Sequence, residues 1–474
     1  MSHRFLVSAA HKSSGKTTVS VGLAAAFRAR GLSVQPFKKG PDYIDPLWLT
    51  QAAGRACRNL DLYLMREDEI EDSFQRHGAD ADVCLVEGNK GLYDGLALDG
   101  SNSNAALAKL LDLPVVLVID ARGMTRGIAP LILGYQAFDR DIRIAGVILN
   151  QLGGSRHEAK LRAVVEHYTD VPVLGAVHHD PGCFVEERHL GLVPGNETLA
   201  AETLVRGLGE HLAAQVDLDR LLEVTQGPER PALVLPEWPA PAGAPVRIGI
   251  ARDRAFGFYY ADDLDALTQA GAVLVPIDTL QDERLPALDG LYIGGGFPER
   301  FAPELAANGA LRGALKAALE GGLPAYAECG GLMYLSRSLT VEGATHPMVG
   351  AIPGDVVMHR RPVGRGYVHL SENPGHPWPR PRDPAQEIRA HEFHYSSLEN
   401  LPPDSRFAYQ VKRGHGIDGQ RDGLMVHRLL ASYTHLRTIG GCAWARRFVA
   451  YVRSQRAQPA AAQNAREREH ATMA

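Results

Sequence analysis

The segment AAHKSSGKTT lies between a strand-like run, FLVSA, and a helical stretch, and it ends in the pattern Gly-Lys-Thr-Thr. Backbone N–H groups at the start of a helix, reached through a glycine turn, bind phosphate oxygens. We therefore expect Gly15, Lys16, Thr17 and Thr18 to form an ATP-binding P-loop. In this arrangement Lys16 reaches the β- and γ-phosphates and Thr17 ligates Mg²⁺.

The P-loop pattern is incomplete at its start, because Ala10 stands where the first glycine belongs. An ordinary strand-to-helix turn with a solvated lysine is the alternative interpretation. Lys12 adds a further cation, but its spacing from Lys16 is one residue off the pattern of switch-type ATPases, and we assign it no role. The remaining match still favours nucleotide binding.

A second polar segment, KKGPDYIDP, follows the strand-like run LSVQPF. Its two prolines predict a non-helical loop that contains Asp42 and Asp45. Loops at the carboxyl ends of strands build the active sites of open α/β sheets. We expect both aspartates to orient metal or substrate, with Asp42 as a Mg²⁺ ligand. A solvated turn with local hydrogen bonds is the alternative for each aspartate taken alone.

A third polar segment, GNKGLYDG, follows the buried run VCLVE. Glu87 ends that run, and a carboxylate in this position beside a P-loop is the expected second Mg²⁺ contact. We also expect Asp94 to orient metal or substrate. Asn150 follows another buried run and predicts a contact with adenine, with capping or turn chemistry as the alternative. For Asn102 and Asn104, substrate contact and helix capping both stay open.

Cys329 lies in LPAYAECGGLMYL, which predicts a strand, a tight turn and a helix. Such a turn exposes a nucleophilic side chain, and the backbone N–H groups beside it stabilise an oxyanion. We expect those donors to come from Gly330 and, in the upstream segment GLYIGGGFPER, from Gly295 and Gly296. A buried structural thiol is the alternative for Cys329.

A cysteine nucleophile needs a base, and His435 at the end of the run LLASYTH is the best candidate. His391 and His394 in AHEFHYS compete for this role. The acid of a Cys-His-Glu triad would normally stand two residues after the histidine, where this chain has Arg437. The sequence therefore predicts a Cys329/His435 pair, with any orienting group supplied from elsewhere.

Apolar strand-like runs alternate with helical stretches through most of the chain, which predicts βαβ units on mainly parallel sheets. We divide the sequence into a P-loop synthetase domain (1–225), a proline-rich linker (226–245), a second α/β domain (246–454) and a tail without apolar periodicity (455–474), which we expect to be disordered. The predicted fold class is thus two α/β domains.

The chain has 474 residues, a net charge of −5 and no long run of lysine and arginine, which argues against nucleic-acid or membrane partners. It shows no signal peptide and no long apolar span, and we expect a cytoplasmic protein. Its five cysteines lack zinc-ligand spacing and a disulfide pattern. A small-molecule partner is favoured.

Taken together, these motifs resemble the cobyrinic acid a,c-diamide synthase family; FGFYYADDL, GGGFPER, AECGGLMYL, HEFHYS and ASYTHL add to the likeness. The resemblance implies a dethiobiotin-synthetase-like domain fused to a Triad-type class I glutamine amidotransferase domain that lacks the usual acid. It implies ATP and Mg²⁺ as cofactors. ATP would activate the a and c acetate carboxylates of a modified tetrapyrrole as acyl phosphates, and glutamine would supply ammonia. Tyr43 and Ile44 would influence the order of amidation.

The chain departs from the usual family pattern VEGVMGLFDG, since it reads VEGNKGLYDG followed by SNSN. These changes resemble the branch thought to amidate sirohaem for dissimilatory sulfite reductase, so sirohaem or sirohydrochlorin joins cobyrinate as a candidate substrate. Asn89 and Lys90 would read that difference. The predicted partners are the tetrapyrrole, L-glutamine and, in a homodimer, a second copy of the chain.

Two other functions compete with this interpretation. A regulatory P-loop ATPase of the partition type would switch a partner protein, and its amidotransferase-like domain would be non-catalytic. A cobyric acid synthase would amidate other side chains of the tetrapyrrole. From the family resemblance that enzyme lacks a working P-loop, so the intact Gly15, Lys16 and Thr17 weigh against it.

Overall fold

A computed structural model describes residues 3–180, 187–188, 191–197, 200–227, 243–379, 387–439 and 442–456. The chain forms two compact units that divide between Pro236 and Glu237. The point of division falls within the predicted linker. Most of that linker and of the predicted tail lies outside the described residues, although the last helix continues two residues past the predicted end of the second domain.

The first unit is built on a seven-stranded sheet with the order β3-β2-β4-β1-β5-β6-β7, in which every pairing is parallel. Its valine-, leucine- and isoleucine-rich strands are buried on both faces, as parallel sheets require. The strands are β1 (His3–Ala9), β2 (Val34–Lys39), β3 (Arg58–Leu60), β4 (Val83–Glu87), β5 (Val115–Asp120), β6 (Ile144–Leu152) and β7 (Val173–His178), followed by a small antiparallel pair, β8 (Glu187–Arg188) and β9 (Gly191–Leu192).

Helices connect these strands, and one buried cluster joins side chains of the sheet to α1, α2, α7 and α8. The helices are α1 (Lys16–Ala29), α2 (Ile44–Ala53), α3 (Glu67–Gly78), α4 (Asn104–Leu111), α5 (Ile128–Phe138), α6 (Ser155–Tyr168), α7 (Ala201–Gln215) and α8 (Leu218–Val224). Because β1 lies between β4 and β5 and β2 adjoins β4, the loops after β1, β2 and β4 leave the same edge of the sheet.

One local prediction in this unit is wrong. The segment around Asp45 is helical, since α2 begins at Ile44 and includes both Asp45 and Pro46. Proline is tolerated in the first turn of a helix, because the N–H groups there have no partner within the helix. Pro41 and Pro46 therefore did not exclude a helix that begins at Ile44.

The second unit is built on a nine-stranded sheet with the order β12-β10-β13-β15-β24-β23-β22-β19-β20. The pairings from β12 to β24 are parallel and those from β24 to β20 are antiparallel. Its strands are β10 (Val246–Ala251), β12 (Ala272–Ile277), β13 (Gly290–Ile293), β15 (Ala325–Glu328), β19 (Gly364–Glu372), β20 (Ile388–His394), β22 (Arg406–Arg413), β23 (Arg421–Val426) and β24 (Leu429–Ser432).

Smaller sheets and helices complete this unit. A two-stranded sheet pairs β11 (Phe256–Phe258) with β14 (Gly295–Gly296), and a four-stranded sheet contains β16 (Ser336–Val341), β17 (Ala344–Pro347), β18 (Ile352–Met358) and β21 (Ser396–Glu399). The helices are α9 (Ala261–Gln269), α10 (Ala302–Ala307), α11 (Gly309–Glu320), α12 (Gly330–Leu335) and α13 (444–456), with a 3-10 turn at Pro298–Phe301. Since β15 and β24 are parallel neighbours, the segments after them leave the same edge of the sheet.

None of the helices in the described parts of the chain has the length and apolar character needed to cross a membrane.

Candidate active sites

The predicted P-loop connects β1 to α1. Gly15 has a φ of +84° and precedes the first residue of the helix. A Cβ atom at Gly15 would lie 2.1 Å from Asn150 Nδ2, so both backbone conformation and space demand glycine. The N–H groups of the first turn, which includes Lys16, Thr17 and Thr18, have no partner within the helix and form a ready anion site.

Asn150 lies within β6 and is buried beneath the P-loop. Its Nδ2 donates a hydrogen bond of 2.9 Å to the backbone oxygen of Ser14. This contact favours the turn-supporting alternative for Asn150 over the predicted contact with adenine. Lys12, to which we assigned no role, is exposed on the loop.

A cluster of carboxylates surrounds the ammonium group of Lys38, the penultimate residue of β2. Lys38 Nζ donates to Asp45 and, over 2.9 Å, to Glu87 Oε1, and it lies 3.9 Å from Asp42 Oδ2. Thr17 Oγ1 donates to the same Glu87 oxygen over 2.6 Å. The structure thus brings Asp42, Asp45, Glu87 and Thr17 together as the sequence predicts. We call this group the Lys38 cluster.

Sequence reasoning missed Lys38 itself, although a lysine at the end of a buried strand was a usable signal. The side chain is 3% exposed. Burial alone would lower the pKa of Lys38, but Asp45 and Glu87 outweigh it and raise that pKa above its usual value. Lys38 therefore carries a positive charge that neutralises part of the cluster.

The acidic members of the Lys38 cluster are also perturbed. Burial, with the nearby Asp45, raises the pKa of Asp42 to about 7, and burial raises the pKa of Glu87. Glu87 Oε2 is buried and has no hydrogen-bond partner in the described structure. A buried oxygen without a donor can accept a cation, so the residues present fit a Mg²⁺ site. Across from the cluster, burial followed by Lys38 lowers the pKa of Lys16 to about 8.

Asp42 has a second, structural contact. Its Oδ1 accepts hydrogen bonds from the backbone N–H groups of Ile44 (2.9 Å) and Asp45 (3.2 Å), so it caps α2. Tyr43 and Ile44, the residues predicted to influence the order of amidation, stand beside it at the start of that helix. Asp42 therefore links the helix start to the Lys38 cluster.

Asp94 lies apart from the Lys38 cluster. It is exposed, and its Oδ2 accepts a hydrogen bond of 2.9 Å from the N–H of Gly91. A Cβ at Gly91 would lie 2.7 Å from the backbone oxygen of Ala10, which places this turn against the P-loop. Asp94 also acts electrostatically on Lys16 by raising its pKa, although burial has the larger, opposite effect.

The segment between Glu87 and α4 is held by amide side chains. Asn104, which is fully buried, donates to Ser8 Oγ (3.1 Å) and to the backbone oxygens of Asn89 and Gly91. This gives Asn104 a role in loop structure, while the Oγ of Ser103 caps α4 by accepting a hydrogen bond from Ala106.

Asn89 and Asn102 meet a second buried lysine. Lys39 Nζ donates to Asn102 O over 2.6 Å and lies 3.2 Å from Asn89 Oδ1. Burial, the largest of several influences, lowers the pKa of Lys39 to about 8. Lys90, in contrast, is exposed and has a φ of +44°. The two residues predicted to contact substrate thus lie on one short turn, with Asn89 anchored and Lys90 facing solvent.

In the second unit, Cys329 stands between β15 and α12 with a φ of +47° and a ψ of −101°. This backbone conformation is strained for a residue with a side chain and is typical of a nucleophile elbow. A Cβ at Gly330 would lie 3.0 Å from Gly296 N, and one at Gly331 would lie 2.3 Å from Ile293 O. The glycines predicted to form the oxyanion site therefore pack directly against the cysteine turn, with Gly295 close to His435.

His435 lies three residues beyond β24, and Cys329 acts on the charge of its ring. Burial alone would lower the pKa of His435, but Cys329 and Glu328 outweigh it and raise that pKa to about 10. The carboxylate of Asp422 accepts hydrogen bonds from the backbone N–H groups of Tyr433 and Thr434, and so fixes the segment that precedes His435. This geometry supports His435 as the partner of the cysteine.

The two competing histidines have other neighbours. The ring of His391 stacks on that of His435, with centroids 4.9 Å apart, and its Nδ1 lies 3.3 Å from Tyr260 Oη. His394 contacts the backbone oxygen of Ser396 through Nδ1 and stacks on Tyr433. Each ring is therefore placed for a contact away from the thiol.

The position expected for a triad acid holds Arg437, which is buried and pairs with Asp262 at 2.9 Å. An acid reaches His435 from another direction, because Glu328 Oε2 lies 3.4 Å from His435 Nδ1. The sequence did not predict which residue supplies this acid. The signal for Glu328 was its position, immediately before the nucleophile and at the end of a strand that neighbours β24.

Two family models match the chain. One, described as a CobB/CobQ-like glutamine amidotransferase domain, covers residues 247–440, and the other, described as an AAA domain, covers residues 3–186. Together with the two α/β units these matches confirm the predicted fold class, a P-loop domain followed by a class I glutamine amidotransferase domain.

Named relatives match nearly the whole chain. A cobyrinate a,c-diamide synthase from Magnetococcus marinus is 47% identical over 448 residues, which cover 93% of this chain and 95% of the relative. Proteins of the same name are 45% identical in Methanosarcina acetivorans, over 92% of both chains, and 40% identical in Listeria monocytogenes, over 92% of this chain and 96% of the relative. The predicted resemblance is confirmed: this chain belongs to the cobyrinate a,c-diamide synthase family of glutamine-dependent amide ligases.

Proposed function

We propose that the protein amidates the a and c acetate carboxylates of a modified tetrapyrrole, with ATP to activate each carboxylate and glutamine to supply ammonia. The observation that carries this proposal is the presence of two prepared sites on one chain: the P-loop with the Lys38 cluster, and the strained Cys329 with His435. The relatives, which are cobyrinate a,c-diamide synthases by name, support the tetrapyrrole substrate and the two amidated positions.

At the first site the γ-phosphoryl group of ATP passes to a substrate carboxylate, which gives an acyl phosphate and ADP. Lys16 stabilises the charge on the transferring group, and Asp45 and Asp94 orient the reactants. Thr17, Asp42 and Glu87 would hold Mg²⁺, which neutralises phosphate charge when bound. Ammonia then attacks the acyl carbon, and phosphate leaves.

At the second site the Cys329 thiolate attacks the side-chain amide of glutamine. The N–H groups of Gly295, Gly296 and Gly330 stabilise the oxyanion, and His435 gives a proton to the departing ammonia. Water then hydrolyses the thioester to glutamate and restores the thiol. The regulatory-ATPase alternative would leave the Cys329 geometry without a purpose.

The substrate is cobyrinate, sirohydrochlorin or sirohaem, and the polar turn at Asn89 and Lys90 favours the sirohaem type. A double substitution, Asn89→Val with Lys90→Met, tests this assignment. We expect it to shift tetrapyrrole preference toward cobyrinate. An unchanged preference would contradict the role given to this turn.

The proposal is tested by incubating the protein with each tetrapyrrole, ATP and glutamine, and by measuring products by mass spectrometry. Cys329→Ala should lose glutamine-dependent amidation but recover it when an ammonium salt replaces glutamine. Lys16→Ala should retain glutamine hydrolysis and lose amidation with either nitrogen source. Amidation by Lys16→Ala, or glutamine hydrolysis by Cys329→Ala, would contradict the assignment of the two sites.

A further inference from the structure

The environment of His435 contains one acidic side chain close to its ring in the described structure. Glu328 is the last residue of β15, and its Oε2 lies 3.4 Å from His435 Nδ1. The side chains of Glu328 and His435 are 1% and 4% exposed, so the contact is shielded from water. In an unliganded site such contacts are often longer than in the complex with substrate.

Three donors fix the Glu328 carboxylate. Tyr326 Oη donates to Oε1 over 2.6 Å, and Tyr292 Oη donates to Oε2 over 3.1 Å. The backbone N–H of Leu436, the residue after His435, donates to Oε1 over 2.9 Å. Glu328 therefore binds the backbone that carries His435, and its second oxygen lies beside the ring of His435.

The residue at the usual acid position serves a different purpose. Arg437 lies 2.9 Å from Asp262 and stacks over the ring of Tyr260 at 4.4 Å. Tyr260 in turn contacts His391, which stacks on His435. Arg437 is thus connected through Tyr260 to the two stacked histidines. The position two residues after His435 therefore carries a guanidinium group in place of a carboxylate.

We propose that Glu328 is the positioning residue of the glutaminase site, and that it orients and charges His435 in place of an acid two residues after the histidine. Because Glu328 precedes the nucleophile directly, one short segment carries both the attacking thiol and the group that aligns its base. The inference rests on the proposed function, since it assumes that Cys329 hydrolyses glutamine.

The charges around His435 agree with this role. Those that act on it come from Cys329 and Glu328, and His391, which stacks on its ring, is itself influenced by Arg437. Burial, followed by His435 and Arg437, lowers the pKa of His391 well below its usual value, so His391 stays neutral. The single positive charge of the histidine pair then resides on His435, between Cys329 and Glu328.

Glu328→Gln is the discriminating variant, because it keeps the size of the side chain and an oxygen that accepts from Tyr326 and Leu436. Its NH2 group replaces the oxygen that faces His435 and Tyr292, whose hydroxyl can rotate to accept. If Glu328 only satisfies these donors, the variant should keep near-normal activity. If it orients and charges His435, kcat for glutamine hydrolysis should fall roughly 100-fold, less than the ~10⁴-fold known for neutralising the acid of a serine protease triad, while KM stays near normal. Tyr326→Phe, which removes one donor and leaves the charge, is the matched control and should change kcat by less than about fivefold.

The rate of Cys329 alkylation by iodoacetamide, measured by peptide mass spectrometry across pH, reads the thiolate directly. Glu328→Gln should slow alkylation near pH 7, because a weaker imidazolium stabilises less thiolate. In a His435→Gln background the same change should have no further effect. Independent, additive effects or wild-type alkylation by Glu328→Gln would overturn the proposal.

A measurement on the unsubstituted protein covers the case in which Glu328→Gln does not fold. Nitrogen NMR of labelled histidine, with His435→Gln for assignment, should show both ring nitrogens of His435 protonated at about pH 8. A neutral ring without a proton on Nδ1 would overturn the proposal. Glutamine hydrolysis that persists in Cys329→Ala would instead refute the proposed function, so the two failures are distinguishable.

Discussion

Replacing Lys38 by methionine would remove the cation at the centre of the carboxylate cluster while keeping an unbranched side chain of similar length. In the wild type, Lys38 Nζ lies 2.9 Å from Glu87 Oε1 and 3.9 Å from Asp42 Oδ2, and it also bonds Asp45. The variant leaves these carboxylates close together without the cation that contacts them directly. We expect it to destabilise the first unit.

The size of this effect follows from burial. Removing one partner of a buried ion pair costs about 3–5 kcal/mol, because the remaining charge stays in a medium of low polarity. Lys38 is 3% exposed, so solvent screens little of the interaction. In a unit of this size 1 kcal/mol corresponds to about 2–4 °C, so the melting temperature should fall by about 6–20 °C.

The penalty should depend on pH and on Mg²⁺. The pKa of Asp42 is already raised to about 7, so the folded state binds protons more tightly than the unfolded state between the ordinary pKa and that value. The stabilising effect of such a group is present at low pH and is lost as the pH rises through the folded pKa. Without Lys38 the pKa values of Asp42 and Glu87 should rise further. The loss of stability relative to the wild type should therefore be larger at about pH 8 than at about pH 5.5. Mg²⁺ should stabilise the variant more than the wild type.

Thermal unfolding of the full chain, followed at both pH values with and without Mg²⁺, measures this prediction. Lys12→Met, which changes an exposed lysine on the P-loop, is the matched control and should stay within about 0.5 kcal/mol of the wild type. A Lys38→Met variant as stable as the control, at both pH values, would refute the view that Lys38 neutralises the cluster.

Three further predictions concern the first unit. Gly15→Ala should weaken nucleotide binding about tenfold or more, because Gly15 has a positive φ and a new Cβ would collide with Asn150. The control Gly207→Ala in α7, where a new Cβ has open space, should not change binding. Calorimetric titration with ATP measures both affinities. Nucleotide affinity should fall by up to about tenfold per pH unit above pH 8, because Lys16, with its pKa lowered to about 8, loses the positive charge that attracts phosphate. An affinity that does not change with pH would contradict this prediction. Lys39→Met should raise the tetrapyrrole KM about tenfold with little change in kcat, since it releases the Asn89 turn, and steady-state kinetics that show the opposite split would exclude this role.

Much of the fold and of both sites could be predicted from sequence because the signals are local. Continuous apolar runs predicted most of the parallel strands, although not the three-residue β3, and the strand-turn-helix context around Lys16 and Cys329 predicted the two turns. The loops after neighbouring parallel strands meet at one edge, so the convergence of Asp45 and Glu87 on Thr17 followed from topology alone.

The features that were missed depend on contacts between segments far apart in the chain. The side chains of Lys38 and Glu87 are separated by 49 residues, and those of Glu328 and His435 by more than a hundred, so no local pattern reports either pair. The structural contact of Asn150 was missed for the same reason, since its Nδ2 donates to Ser14 O across 136 residues, while the contact with adenine stays a prediction. The prediction of a non-helical loop around Asp45 was wrong for a local reason, because proline is compatible with the first turn of a helix.

Transfer of labelled nitrogen from glutamine to a tetrapyrrole would show whether the chain amidates such a substrate. The full chain is incubated with ATP, glutamine labelled at its amide nitrogen, and cobyrinate, sirohydrochlorin or sirohaem in separate reactions, and the products are fragmented in a mass spectrometer. We expect one of these tetrapyrroles to acquire label on its a and c acetate groups, and only when ATP is present. Products without label, or label acquired in the absence of ATP, would contradict it.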